Sequence, residues 1–416
     1  MMVSQKDRDI LRRLAGETME VAQQPIQQER IEGWKAINGL RPHRPMVWIT
    51  EIPWGEVESD IPELQCECEN DACQNVEKHL RMGLFCQKNL ETDEVLLPKF
   101  PVQMKIRGGG FGVKTKDSTI AQGASSIQSH DYEPVIKGME DVEKIKIPTV
   151  TYDREVTERN IEFASDLFGD IMPVVLQGCQ QHFFPAWDMV VRWTGVTEAL
   201  MDLAMRPDYI HALMRRLTDA KLSLMSQMEE QNLLDPTPPA LRVGSGAAGF
   251  TDELPQPDAD PRHIRLIDQW GGATPQIFSD VSPEMHEEFA LRYENEVMGR
   301  CGLNYYGCCE PVHNKMHLLA KAPRIRKISI SPWCDVAKAR DNAAEPYVFS
   351  HKPNPATLAT DRFDTAEAET EIRRRFTESG SMPCEIIMKD ISTIRGDFER
   401  VREWCRIASR VAREFE

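Results

Sequence analysis

Short apolar runs, each closed by proline, glycine or polar residues, recur along the chain and suit buried strands. Eight such runs occur, at residues 46–49, 95–97, 172–176, 241–243, 303–306, 328–330, 347–349 and 385–388. Helical periodicity appears between several of them, most clearly over residues 197–230 and 282–298. Strands that alternate with helices eight times predict an α/β fold, specifically a closed (β/α)8 TIM barrel.

The pattern also predicts an N-terminal extension and two long insertions beside the barrel. Residues 1–40 place apolar positions such as Leu11 and Leu14 at helical spacing among charged residues, which predicts an N-terminal helical extension. The barrel is then expected over residues 41–416. The longest stretches between its strands, at about 55–94 and 101–170, are expected to be insertions that lie over the barrel mouth.

Composition narrows the classes of function. The 416 residues are 41% hydrophobic, and no apolar run approaches the ~18 residues that a membrane-spanning helix needs. The formal net charge of −16 disfavours binding to a nucleic-acid backbone. The N-terminus lacks the apolar core of a signal peptide, so we expect a cytoplasmic protein, in which the eleven cysteines are free thiols, metal ligands or catalytic groups.

Cysteine, histidine and glutamate follow three neighbouring predicted strands, where the chemistry of a barrel belongs. Sulfur and nitrogen donors that converge there favour zinc. The predicted metal ligands are Cys308, Cys309, Glu310, Cys334 and His351. Cys308 and Cys309 can both bind one ion only if the strand has ended before them, because adjacent strand residues point to opposite faces. Alternatively, these cysteines fill the core and the histidines satisfy internal hydrogen bonds.

Several segments together resemble the uroporphyrinogen decarboxylase superfamily, whose fold is a (β/α)8 barrel and which includes corrinoid-dependent (methylcobamide) methyltransferases. They are residues 44–48, 177–179, 193–195, 206–208, 278–283, 308 and 351–355. The decarboxylases carry arginines just after the first strand, whereas residues 49–56 contain none, so a porphyrin substrate is disfavoured.

The methyltransferase branch is more similar. Its members bind zinc through a His-x-Cys pair after the fifth strand and a later cysteine. Here Tyr306 replaces the histidine before Cys308, and Cys384 falls too early to match the later cysteine. The resemblance implies a zinc-dependent methyltransferase that moves a methyl group between a small ether, amine or thiol and cobalamin.

The chain has no Asp-x-His-x-x-Gly corrinoid-binding signature, so the cobalamin is expected on a separate corrinoid-binding protein. Four further residues are expected to handle protons or orient the substrate: Tyr306, His182, Asp252 and Asp390. Two other functions stay open, a decarboxylase or lyase acting on a small carboxylate and a noncatalytic binding protein with the same fold. The methyl donor and acceptor, the direction of transfer and a homodimeric state are not determined by the sequence.

Overall fold

A computed structural model describes residues 3–120, 129–236 and 242–416 of the chain. Its strands are β1 (Met46–Ile49), β2 (Phe100–Gln103), β3 (Ile106–Arg107), β4 (Lys116–Ile120), β5 (Ser129–Glu133), β6 (Thr151–Tyr152), β7 (Val174–Gln177), β8 (Gln181–Phe184), β9 (Trp270–Ala273), β10 (Leu303–Tyr306), β11 (Ile325–Ile330), β12 (Val348–His351) and β13 (Cys384–Met388).

The helices alternate with these strands over much of the chain. They are α1 (Gln5–Ala22), α2 (Pro25–Asn38), α3 (Asp71–Asn89), α4 (Arg154–Phe168), α5 (Ala186–Thr194), α6 (Val196–Met205), α7 (Pro207–Glu230), α8 (Pro283–His286), α9 (Arg292–Met298), α10 (Met316–Leu319), α11 (Val336–Asp341), α12 (Ala356–Ala359), α13 (Thr365–Ser379) and α14 (Glu399–Arg413). A π-helical turn, Glu287–Leu291, joins α8 to α9.

The central sheet has seven strands in the order β1-β13-β12-β11-β10-β9-β8, all paired in parallel. Parallel pairing places the carboxyl ends of all seven strands at one edge of the sheet. Three two-stranded sheets, β2 with β7, β3 with β6 and β4 with β5, lie apart from it. The α/β class predicted from sequence is therefore confirmed, whereas a closed eight-stranded barrel is not shown.

The strand predictions fail where local chemistry overrides the apolar pattern. The run at 95–97 forms no strand. Just before it, the Asp93 carboxylate accepts a hydrogen bond from Val47 N (2.7 Å), and Asp93 N donates to Val47 O (2.7 Å). An irregular segment therefore lies beside β1 at this place. Residues 242–243 of the run at 241–243 are also not a strand, and Leu241 lies outside the described residues. The run at 172–176 becomes β7, outside the central sheet.

Two strands of the central sheet, β8 and β9, were not predicted. In β9, Gly271 and Gly272 interrupt the apolar run that reveals a buried strand. The glycines are required by close packing, since a Cβ atom on Gly272 would lie 2.4 Å from the Tyr305 carbonyl oxygen. The close contact between the two backbones requires glycine, and glycine in turn interrupts the apolar run by which a buried strand is predicted.

The two faces of the sheet differ in chemistry. One face packs on α13 and α14 in a large apolar core that includes Val47, Phe349 and Ile386, and it is called the helix-covered face below. The opposite face carries polar groups, among them the fully buried ion pair of Lys327 and Glu385 (2.6 Å). Within the described residues no helix combines the length and the apolar character that a bilayer crossing requires.

The segment predicted as an N-terminal helical extension contains α1 and α2. Helix α1 packs against α3 and α4, and α2 places Trp34 beside Trp48 of β1, with ring centroids 6.2 Å apart. The indole N–H of Trp34 donates to Asp93 O at 2.8 Å. The predicted insertion at about 55–94 contains α3, and the one at 101–170 contains most of β2, then β3 to β6 and α4. Residues 121–128 of the second insertion lie outside the described residues.

Candidate functional site at the carboxyl ends of the strands

The loop that follows β10 forms the centre of the site. The strand ends at Tyr306, and Gly307 then turns the chain with φ of +92°, a conformation that favours glycine. Cys308 and Cys309 therefore lie in the loop, and their Sγ atoms approach to 3.6 Å. The backbone is held by Cys308 N, which donates to Glu310 Oε2 (2.9 Å), and by Ser329 Oγ, which donates to Cys308 O (2.6 Å).

The pKa values of the two adjacent thiols shift in opposite directions. The hydrogen bond from Cys309 lowers the pKa of Cys308, burial opposes this effect, and the nearby Lys389 and Lys352 ammonium groups add to it. The same hydrogen bond raises the pKa of Cys309. The charges of Lys389 and Lys352 favour the thiolate at Cys308, with Cys309 as the hydrogen-bond donor, and a thiolate is the reactive form of cysteine.

Lys352, directly after β12, supplies a buried cation on the polar face of the sheet. Its Nζ donates to Tyr305 OH (2.6 Å) and Ser350 Oγ (3.1 Å), and Ser245 Oγ donates to the same tyrosine hydroxyl (3.1 Å). Burial lowers the pKa of Lys352 to about 8, although the Cys308 thiolate acts in the opposite direction. Lys352 is therefore mostly protonated at neutral pH, and its positive charge stabilises the Cys308 thiolate.

A second cation, Lys389, follows β13 at the same edge. It forms ion pairs with Asp390 and with Glu51 (3.9 Å), and Glu51 also binds Arg242. Burial alone would lower the pKa of Lys389, but Cys308 and these carboxylates outweigh it and raise the pKa. Burial would likewise raise the pKa of Glu51, but Lys389, Arg242 and the Asp390 N–H lower it to about 2.

Glu310 is the acid of the site. It is fully buried, and Thr274 Oγ1 lies 3.1 and 3.2 Å from its two oxygens. Burial raises its pKa to about 7; hydrogen bonds to the carboxylate oppose this effect, and the Cys308 thiolate adds to it. A carboxyl group with this pKa carries a proton for part of the time at neutral pH, which is the property of a general acid.

More buried acids lie near Glu310. Burial raises the pKa of Asp188 to about 6 and that of Glu294 to about 8, in both cases with a smaller effect from neighbouring anions. Tyr306 OH donates to Glu294 Oε2 (2.9 Å), and His286 Nε2 lies 2.6 Å from the same hydroxyl. These groups belong to the helix-covered side of the sheet, because Tyr306 points away from its neighbour Tyr305.

The five predicted metal ligands do not converge. Cys308, Cys309 and Glu310 are neighbours in one loop, but His351 lies on the helix-covered face, where its Nε2 contacts Ser379 Oγ (2.8 Å). Cys334 is buried in the large apolar core. In the described part of the chain no group of three His, Cys, Asp or Glu side chains is placed to hold a metal ion. The residues therefore do not fit the zinc site that the sequence suggested.

The four predicted proton-handling residues are also dispersed. Asp390 belongs to the site through Lys389, and Tyr306 borders it from the helix-covered face. His182 is buried on β8, where burial and Lys221 lower its pKa to about 3 and keep it neutral. Asp252 forms ion pairs with Lys35 (2.9 Å) and Arg41 (3.4 Å). Its neighbour Glu253 binds Arg326 near the start of β11, at the opposite edge of the sheet.

Lys352, Tyr305 and Ser245 were not among the predicted site residues. The positions of Lys352 and Tyr305 could have been predicted, because alternate residues of a strand point to the same face. Lys352, directly after β12, alternates with Ser350 of that strand, and Tyr305 alternates with Leu303 along β10. Ser245 follows the predicted strand at 241–243, so its place after a strand end was a signal, although the structure brings it to the site from an irregular segment.

Comparison with known proteins adds little to this geometry. No protein-family model matches the chain, and no curated protein matches it. One solved structure with a related course of the chain is a methyltransferase from Methanosarcina mazei, with 12% sequence identity and a TM-score of 0.49. The alignment covers 92% of this chain and 97% of that one. A likeness at this level shows no family for this chain, and no conclusion is based on it.

Proposed function

We propose that this chain is a methyltransferase whose reaction centre is the Cys308–Glu310 loop. One observation carries the proposal: a thiol and a fully buried acid lie in one turn, joined by the Cys308 N–H bond to Glu310 Oε2 of 2.9 Å, where the surroundings lower the pKa of the thiol and raise that of the acid to about 7. Such a pair can accept one proton and donate another at the same pH.

The proposed step transfers a methyl group from a donor CH3–X to an acceptor H–Y. The lone pair of Y forms the new bond to the methyl carbon while the bond from carbon to X breaks, and X leaves with the electron pair. Glu310 gives its proton to X, and the Cys308 thiolate takes the proton from Y. When the acceptor is a thiol or an amine, return of that proton from Cys308 to Glu310 restores the starting state. When the acceptor is cobalamin, it would bring no proton, so Glu310 alone acts and regains its proton from water.

The expected partner is a corrinoid-binding protein, as the resemblance noted in the sequence implies. Its cobalamin would supply the cobalt that gives or takes the methyl group, and the small substrate would be an ether, an amine or a thiol. No metal is assigned to the Cys308 loop, because in the described part of the chain no three Cys, His, Asp or Glu side chains are placed to hold an ion.

The test follows methyl transfer from a panel of methyl ethers, methylamines and methyl thioethers to cob(I)alamin by the change in cobalamin absorbance. We expect Glu310→Gln to reduce this rate by about 100-fold or more, since it removes the acid that protonates the leaving group. Cys308→Ala should have the same effect on the opposite transfer, from methylcobalamin to a thiol, where the acceptor must lose a proton. Cys334→Ala is the matched control, because that thiol lies outside the site and should leave both rates unchanged. Full activity of Glu310→Gln in the first assay or of Cys308→Ala in the second, or no transfer from any donor, would contradict the proposal.

A lyase that acts on a small carboxylate is the second candidate. Lys352 favours it, because this buried ammonium is bonded to hydroxyl and carbonyl groups but to no carboxylate within the described residues. A substrate carboxylate could pair with it, and Glu310 could protonate the carbanion left by loss of CO2. Release of labelled CO2 without any change in the cobalamin spectrum would favour this candidate over methyl transfer.

A further inference from the structure

A separate cavity lies between α3 and the segment that leads into β2. Its volume is about 360 Å³, within the range of small-molecule binding sites. Most of its lining is apolar, with side chains such as Leu80, Met82, Val95 and Leu97. None of its lining residues belongs to the Cys308 site, so this cavity is independent of the proposed reaction.

One acid in the lining, Glu94, has no partner for its charge. No hydrogen bond or ion pair to its carboxylate oxygens occurs within the described residues, although its backbone carbonyl accepts bonds from Arg30 and Gln87. Burial raises the pKa of Glu94 to about 7, and Arg30 only partly opposes this. Glu94 is partly exposed, so water solvates part of its charge. A ligand ammonium group in the cavity would supply the countercharge that no side chain provides by a direct contact within the described residues.

The other polar groups of the cavity do not supply that countercharge. Gln103 and Gln177 are hydrogen-bonded to each other. His79 is exposed, and Lys99 forms no ion pair in the part of the chain that the structure describes. The cavity thus combines an apolar wall with a carboxylate, Glu94, and an ammonium group, Lys99, that are not paired with each other.

We propose that this cavity binds a small aliphatic amine, with its ammonium group paired to Glu94 and its hydrocarbon chain against the apolar wall. The pairing supplies a charge-assisted hydrogen bond, and burial of the chain removes apolar surface from water. An aliphatic carboxylate of the same length would meet like charge at Glu94 and could pair only with Lys99, so it should bind more weakly. This inference does not depend on the methyltransferase proposal.

The test is isothermal titration calorimetry of the full chain with n-hexylamine and, as a matched anion, hexanoate. We expect hexylamine to bind and hexanoate to bind at least about tenfold more weakly. Glu94→Gln keeps the side-chain size but removes the charge, and it should weaken hexylamine binding by about tenfold or more. Glu91→Gln, which changes an exposed glutamate outside the cavity, should bind hexylamine like the unaltered protein.

Three results would overturn the inference: no binding of hexylamine at millimolar concentration, equal binding of hexanoate, or unchanged affinity in Glu94→Gln. The comparison of the two ligands on the unaltered protein decides the question even if the variant does not fold. Loss of methyl transfer in the Cys308 variants has no bearing on this result, so the two proposals can fail separately.

Discussion

Removal of the Cys309 thiol gives the most direct test of the site. In Cys309→Ala, Cys308 loses the hydrogen bond that contributes most to its low pKa. A hydrogen bond to a charged group contributes about 1.5–3 kcal/mol. We use the lower value because the two sulfur atoms are 3.6 Å apart. Since about 1.4 kcal/mol corresponds to one pKa unit, the pKa of Cys308 should rise by about one.

The assay is the pH dependence of alkylation by iodoacetamide, with mass spectrometry to identify the modified residue. Selectivity is expected because Cys308 alone has a lowered pKa: the hydrogen bond to Cys308 raises that of Cys309, and burial raises those of the other nine cysteines. At neutral pH, Cys308 should therefore react first, and more slowly in Cys309→Ala.

The matched control is Cys66→Ala, which removes an exposed thiol far along the chain from the loop and should leave the profile of Cys308 unchanged. If another cysteine reacts faster than Cys308 at neutral pH, or if Cys309→Ala leaves the alkylation profile where it was, the thiolate assignment is wrong.

Three further predictions concern stability, each measured by denaturant unfolding. The folded state binds a proton at Glu294 up to pH about 8, whereas the unfolded chain releases it near 4.5. The contribution of Glu294 to stability should therefore fall as pH rises from about 4.5 to 8, so the difference in stability between the unaltered protein and Glu294→Gln should change over this range; a difference that is independent of pH would refute the assignment. Lys327→Met should cost about 3–5 kcal/mol because it leaves Glu385 buried and unpaired, and a loss below about 1 kcal/mol would contradict that. Gly307→Ala should cost about 1–2 kcal/mol at its positive φ, and an unchanged midpoint would argue against that conformation.

The consecutive residues of the site were within reach of sequence analysis. Cys308, Cys309 and Glu310 follow directly after an apolar run, and a strand end in a parallel sheet is where reactive groups gather. The α/β class was predictable for the same reason, since alternating strand and helix periodicities are local properties of the chain. Residues that follow one another along the chain stay close in space, whatever the remaining fold.

Residues distant in sequence required the tertiary structure. His351 and Lys352 are adjacent, yet strand pleating directs the histidine toward Ser379 on the helix-covered face and the lysine toward Tyr305 on the polar face. This geometry places His351 on the other face from the groups around Cys308, so the predicted metal ligands are divided between the two faces. The low pKa of Cys308 likewise depends on Lys389 and Lys352 from two other strands as well as on its neighbour Cys309.

The sequence by itself determined the alternation of elements and the thiol and carboxyl groups of the loop after β10, because both are encoded within a few consecutive residues. Only the tertiary structure decided which distant charges surround that loop and left Glu94 unpaired in its cavity. Electrostatic effects depend on distance and burial, and the packing of the whole sheet and its helices sets both.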